Sequence, residues 1–271
     1  NSSNTGNGGA IAADDASPTI TNCTFNGNLA MEGSGGALSL SDLRGMNINN
    51  SQFISNTAKK GGAVYIYDAK DVQFIQCSFE SNSADFGGGI YIDDSGMTPV
   101  PVSFTNCILW QNSAYGGGGI YSDESVVTVT YCTVSGNSAS QNEGGGLYCK
   151  NSSDAAIMNS IYWQNTADAN PEVFYDGSSS LAITYSDIEG GFTGESNLNA
   201  NPLFEDANNG DFTLQVGSPC IDAGTADTDG DGDEDITDYS GTAPDMGAFE
   251  YSNSVTGLQY TIEGQSVTLT W

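Results

Sequence analysis

The chain has 271 residues, with thirty-four acids against five bases, no histidine and a net charge of -29. Such a surface repels phosphate backbones and anionic bilayers, which excludes nucleic acid as a partner, and no apolar run reaches the length that spans a membrane. The polar Asn, Ser, Thr and Gly bulk suits an extracellular or cell-surface setting.

The chain opens inside a repeat: Gly8-Gly9-Ala10-Ile11 stands without its preceding strand, so a longer native protein is expected. The first full unit follows in Ile20-Thr21-Asn22-Cys23-Thr24-Phe25-Asn26-Gly27-Asn28-Leu29-Ala30. Its Cys or Ser position recurs at Cys23, Ser51, Cys77, Cys107, Cys132, Ser160 and Ser186, in steps of 28, 26, 30, 25, 28 and 26 residues. A period in that range means one supersecondary unit per repeat. The apolar residues alternate and are rich in Val, Ile, Thr, Tyr and Phe between Gly, Asn, Asp and Ser clusters, the signature of short strands. Stacked coils place parallel strands ~4.8 Å apart, so seven coils form a core roughly 34 Å long. The expected fold is all-β, a right-handed parallel β-helix over residues 1–190, with a non-repeating cap over 191–251.

Three apolar columns define the expected core: Ile11, Leu38, Val64, Ile90, Ile120, Leu147 and Phe174; Ile20, Ile48, Phe74, Phe104, Val129, Ile157 and Ile183; Phe25, Phe53, Phe79, Leu109, Val134, Tyr162 and Ile188. The second and third lie five residues apart, an odd number, so a corner must separate them. It falls at Asn22, Asn50, Gln76, Asn106, Tyr131, Asn159 and Tyr185, and Asn tolerates the left-handed backbone that corners need. A second amide column, Asn28, Asn56, Asn82, Asn112, Asn137 and Asn165, is placed to hydrogen-bond from coil to coil. Glycine triplets such as Gly35-Gly36-Ala37 and Gly87-Gly88-Gly89 precede strands and read as turns for close packing, not phosphate cradles. Stacked Cys77, Cys107 and Cys132 would form strained disulfides, because in-register side chains point in parallel; half-buried free thiols are expected, with a Cys149–Cys220 pairing left open.

One residue beyond the first column, and therefore facing outward, run Tyr65, Tyr91, Tyr121, Tyr148 and Tyr175. Two further along the same face lie Tyr67, Asp93, Asp123 and Lys150. Aromatic faces beside acids suit sugar rings, which offer C–H patches and hydroxyl donors; Tyr65, Tyr91, Tyr121, Tyr148, Tyr175, Asp93 and Asp123 are the candidate ligand-binding residues. The alternative is that the tyrosines stack and stiffen the sheet. Four residues after the first column runs an acid ladder, Asp15, Asp42, Asp68, Asp94 and Glu124, either a row of solvated turns or a cation-bridged edge.

Beyond residue 190 the text changes to Asn201-Pro202-Leu203-Phe204, Gly217-Ser218-Pro219-Cys220-Ile221-Asp222-Ala223-Gly224 and Asp245-Met246-Gly247-Ala248-Phe249-Glu250-Tyr251. This string resembles the C-terminal region of large secreted bacterial β-helix proteins of the choice-of-anchor type, and an open solenoid end needs such a cap. The repeats, as in Phe25-Asn26-Gly27-Asn28 and Phe53-Ile54-Ser55-Asn56, resemble those of chlamydial polymorphic outer-membrane proteins; that resemblance implies an adhesive, surface-exposed role. Residues 255–271 resemble the start of a fibronectin type III-like domain, which implies further domains in the same chain. Between Asp227 and Asp238, acids fall at loop positions 1, 3, 5, 9 and 12 with glycine at 6, the EF-hand-like calcium spacing, also similar to a dockerin loop. Asp227, Asp229, Asp231, Asp233, Asp235 and Asp238 are the candidate calcium ligands, against the alternative of a solvated acidic loop.

These features favour a non-catalytic adhesive or structural stalk whose partners are extracellular glycans or other surface proteins, with end-to-end self-association through exposed strands as a further expectation. The competing reading is a calcium-dependent polysaccharide lyase or glycoside hydrolase using Asp93, Asp123 and Lys150. Only Arg44, Lys59, Lys60, Lys70 and Lys150 could neutralise an acidic sugar or abstract its proton, which weighs against catalysis.

Overall fold

In the computed structural model, the described residues are 1–271 apart from 4, 5, 17, 95–100, 142, 253–258, 264, 265 and 271. The repeats close into a right-handed β-helix with three seven-stranded parallel sheets. The first sheet runs from Ile11–Asp14 through Val64–Tyr67 and Ile120–Asp123 to Val173–Tyr175. The second runs from Ile20–Thr21 to Ser180–Thr184, and the third from Thr24–Asn26 to Asp187–Ile188. The second and third apolar columns stack in the expected register, as in Phe74 on Phe104 and Phe53 on Phe79. Their rings lie face to face, 5.1 Å apart for Phe74–Phe104 and 4.8 Å for Phe53–Phe79.

The first column holds as far as Leu147 and then departs from expectation, because Leu147 pairs with Val173, not Phe174. In the last coil the glycine triplet is replaced by Asn170-Pro171-Glu172, with Asn170 in the left-handed conformation (φ 47°) that Gly144 holds (φ 67°) one coil earlier. Matching these turns moves the strand Val173–Tyr175 by one, so Phe174 joins the outward tyrosine column and Tyr175 pairs with Cys149, while Ile183 and Ile188 keep the expected register.

The corner residues from Asn22 to Tyr185 all have φ between 48 and 54°. Tyr131 and Tyr185 accept the left-handed strain, about 1–2 kcal/mol for such a side chain, and their hydroxyls donate to Thr225 O (2.7 Å) and Glu195 Oε1 (3.0 Å). The acid ladder has the same cause: Asp15, Asp42, Asp68 and Glu124 occupy left-handed turns with φ of 47–53°. Asp15, Asp42 and Glu124 are exposed, where like charges at coil spacing are tolerable.

The amide column is buried and continuous. Asn56, Asn82 and Asn112 each pass an Nδ2–H to the next amide oxygen at 2.9 Å, and that oxygen also accepts the preceding backbone N–H. At the C-terminal end Asn165 has no further asparagine, and the buried Glu172 carboxyl accepts both its backbone N–H (3.1 Å) and its side-chain amide. Burial, against the two Asn165 bonds, pushes the Glu172 carboxyl up to about 8. Unfolded, it titrates near ~4.3. The native state therefore holds the proton more tightly, and this contribution to stability is complete below about pH 4 and lost as pH rises through about 8. Glu172→Gln is expected to flatten that fall by roughly 3 kcal/mol, checked by urea melts at pH 5 and pH 9; parallel pH profiles for both proteins would refute it.

All six cysteines are free. Cys77, Cys107 and Cys132 are fully buried, not half-buried as expected, because Cys77 and Cys107 turn inward and donate to Ile48 O and Phe74 O at 3.3 Å. Serine substitutes at this position because its hydroxyl also reaches a carbonyl, as Ser51 does to Asn49 O at 2.9 Å.

The segment after residue 190 departs most from expectation. Only residues 195–200 run along the last coil, where Ile188 N donates to Leu198 O and Ala200 N to Asp187 Oδ1. The remainder, to Tyr251, folds back as a lobe over the outer face of the third sheet. Leu214, Cys220 and Met246 pack on Ile161, and Phe212 meets Trp110 edge-on at 5.8 Å. The outward Thr133, Ile161 and Asp187 are thereby fully buried, whereas Thr24 and Gln52 on the same column stay exposed. Within the region read as the start of another domain, Gln259–Glu263 and Ser266–Thr270 pair as an antiparallel hairpin; residues 255–258, 264, 265 and 271 of that segment lie outside the described residues.

Candidate functional site

Strand pairing brings the outward residues of the first sheet into two adjacent columns, Tyr65–Tyr91–Tyr121–Tyr148 and Tyr67–Asp93–Asp123–Lys150. Coil spacing forces the rings face to face: Tyr91–Tyr121 and Tyr121–Tyr148 are each 4.8 Å apart and within 10° of parallel. Phe174 continues the stack 4.8 Å beyond Tyr148. Lys60 Nζ lies 4.6 Å over Tyr91, Lys150 Nζ 5.4 Å over Tyr121, and Phe86 packs edge-on against Tyr121. Tyr91 and Tyr121 are therefore buried, and their faces meet neighbouring rings and ammonium groups. Tyr65 and Tyr148 are half-buried. Tyr175 stands apart, exposed at the end of the rod beside Phe192, on a cavity of about 480 Å³ that also meets Glu172 and Glu189.

The charged column is internally paired. Asp123 accepts from Tyr91 Oη at 2.8 Å and Asn151 Nδ2 at 2.7 Å, and lies 3.2 Å from Lys150 Nζ. Asp93 faces Lys60 Nζ at 3.9 Å. Burial raises the Asp93 carboxyl against the opposing effect of Lys60. Burial also raises the Tyr91 hydroxyl, helped by its bond to Asp123. For Lys150 burial acts downward, but the Tyr121 hydroxyl and Asp123 outweigh it and the ammonium is raised. A lysine that abstracts a proton near neutrality needs the opposite shift. Lys60, the last residue of the short strand Thr57–Lys60, and Asn151, at the ladder position of its coil, complete this network and were not among the site residues expected from the sequence.

In the acidic loop, carboxylate oxygens of Asp227, Asp229 and Asp235 lie within 4.8 Å of one another. Asp231, Asp233 and Asp238 are outside that group. Asp235 and Ile236 N–H groups both close onto Ala226 O, so the loop ends before Asp238 can turn back as a helix-borne twelfth ligand would. The loop folds around its own carboxylates: Asp227 accepts Gly230 N (2.7 Å) and Gly232 N (3.0 Å), while Asp235 accepts Thr228 N and Oγ1, which hold its carboxyl below the usual range. Three clustered carboxylates fit a hard, oxygen-preferring cation such as calcium.

A cleft that sequence reading did not find runs along the third sheet where the lobe stops. Two contiguous openings of about 450 Å³ each share Gln52, Ser78 and Ile108 as floor. Phe249 rims one, and Trp110 with Gly210 the other.

Residues 1–133 match the model of the right-handed β-helix region, and residues 131–150 that of the Chlamydia polymorphic membrane protein repeat. No curated protein sequence matches the chain. Among solved structures, the crystal structure of pectate lyase Pel9A is similar over 92% of this chain and 85% of its own, at 14% identity and a TM-score of 0.47.

Proposed function

We propose that the chain is a non-catalytic extracellular or cell-surface β-helix that serves as an adhesive or structural stalk, holding glycans or other surface proteins along its length. The observation that carries this reading is the closed network on the first sheet: Asp123 is met by three donors, and Lys150 is raised, the opposite of what a lysine that abstracts a proton at neutral pH needs. The polymorphic membrane protein repeat and the secreted-type C-terminal string support the location.

The deciding experiment presents the protein to immobilised neutral and acidic polysaccharides and surface proteins, with calcium or chelator, scoring retention and chain cleavage together. Retention without cleavage is expected. Cleavage abolished by Asp123→Asn or Lys150→Ala would overturn the reading.

We also propose that the loop at Asp227, Asp229 and Asp235 holds calcium, which would offset the repulsion among its carboxylates. Calcium titration followed by calorimetry should give one site that Asp227→Asn with Asp229→Asn removes; an unchanged isotherm, or none in the parent protein, would sink the assignment.

A further inference from the structure

We infer that the cleft between the third sheet and the edge of the C-terminal lobe binds an extended chain of neutral sugar. The inference rests on the proposed reading of the rod as a glycan-holding, non-cleaving stalk, and places the site on a different face from the tyrosines. The opening beneath Phe249 is lined without a single charged side chain, on a molecule of net charge -29. Its floor is amide and hydroxyl instead.

Asn50, Gln76 and Asn106 stand one coil apart at left-handed corners, exposed, and their side chains form no hydrogen bond to any described residue. Each amide both donates and accepts, which complements sugar hydroxyls, and one pyranose in an extended chain advances by about the height of one coil, ~4.8 Å. The rim supplies the apolar half of the recognition: Phe249 is 39% exposed, and Ile108 and Trp110 continue the surface. Aromatic and aliphatic edges of this kind meet the C–H faces of pyranose rings.

The rim is held in place before any ligand arrives. Gly247 N donates to Asn159 O at 2.9 Å and Ala248 N to Thr133 Oγ1 at 3.1 Å, which lowers the ordering cost of binding. A uronate chain would bring its carboxylates to a strongly anionic molecule with no base in the cleft. A basic peptide would find only Glu80, in the outer half.

The test is calorimetric titration of the whole chain with neutral gluco- and manno-hexasaccharides and with oligogalacturonate. The variants are Gln52→Ala with Phe249→Ala, both at exposed side chains, and separately Tyr65→Ala with Tyr148→Ala. We expect a neutral hexasaccharide to bind the parent protein and the tyrosine variant alike, at least tenfold more weakly to the cleft variant with an unchanged melting temperature, and oligogalacturonate not to bind. Neutral-sugar binding that survives in the cleft variant and disappears in the tyrosine variant would overturn the cleft while leaving the adhesive reading intact. Absence of any neutral-sugar binding overturns the inference, and the stalk reading falls with it only if the polysaccharide and protein surfaces also fail to retain the chain. A melting shift in the cleft variant is resolved by Gln52→Glu, which introduces one exposed charge; undiminished binding there also refutes the site.

Discussion

Gly62→Ala is expected to prevent the rod from folding. A Cβ at this position would lie 2.1 Å from Gly88 O and 2.7 Å from both N and O of Ser83, all backbone atoms of the next coil. No side chain can move aside, so the two coils must separate at their hydrogen-bonded seam, a loss of well over ~5 kcal/mol once packing and several buried bonds are counted. Gly27→Ala is the control. Its φ of 63° is unsuited to alanine, a strain that Gly62 does not carry, but nothing lies within 4 Å of the added carbon, so only the conformational penalty of about 1 kcal/mol remains. Circular dichroism and guanidinium melts of the pair separate the two causes. If Gly62→Ala melts like Gly27→Ala, close approach of coils is not what the glycine supplies.

Asn112→Ala should cost about 4 kcal/mol while leaving the fold recognisable. Its side chain accepts the Asn82 backbone N–H at 3.0 Å and side-chain amide at 2.9 Å, donates to Phe79 O at 2.9 Å, and donates to Asn137 Oδ1 at 2.9 Å. Removal strands the Asn82 backbone donor and the Phe79 carbonyl inside the rod, at about 1–3 kcal/mol each, and opens a small void. The same change at Asn28, the first amide of the row, should cost less than half as much, since no asparagine precedes it to lose a bond. Equal losses in urea unfolding at the two positions would show that the amides act singly and not as a connected ladder.

Much of this molecule was legible because stacking converts sequence period into spatial register: Ile20 over Ile48 and Phe25 over Phe53 follow from spacing alone. The register failed only where Asn170-Pro171-Glu172 carried out a glycine triplet's task in different letters. Accessibility was less readable. That Tyr91 and Tyr121 share a column is written in the repeat, but their burial arises from ring stacking at coil height and from Lys60, Lys150 and Phe86, which reach over from other positions. The cleft could not be found at all in the repeat, since it exists through pairs as distant as Thr133 and Ala248, 115 residues apart. Nothing in the text of residues 201–251 says that they turn back along the rod instead of closing its end.

The amide row also has a sense. In each amide one Nδ2–H points toward the C-terminal coil and the oxygen toward the N-terminal one, from Asn28 through Asn56 to Asn165. The two ends are consequently not mirror images: Asn28 presents an amide oxygen at the N-terminal end of the row, and the Glu172 carboxyl receives the last amide donors at the other. A string of aligned amide dipoles thus runs the length of the core, with an acid at its hydrogen end. Any filament that continued this string from one rod to the next would have to join unlike ends, and would itself carry an arrow.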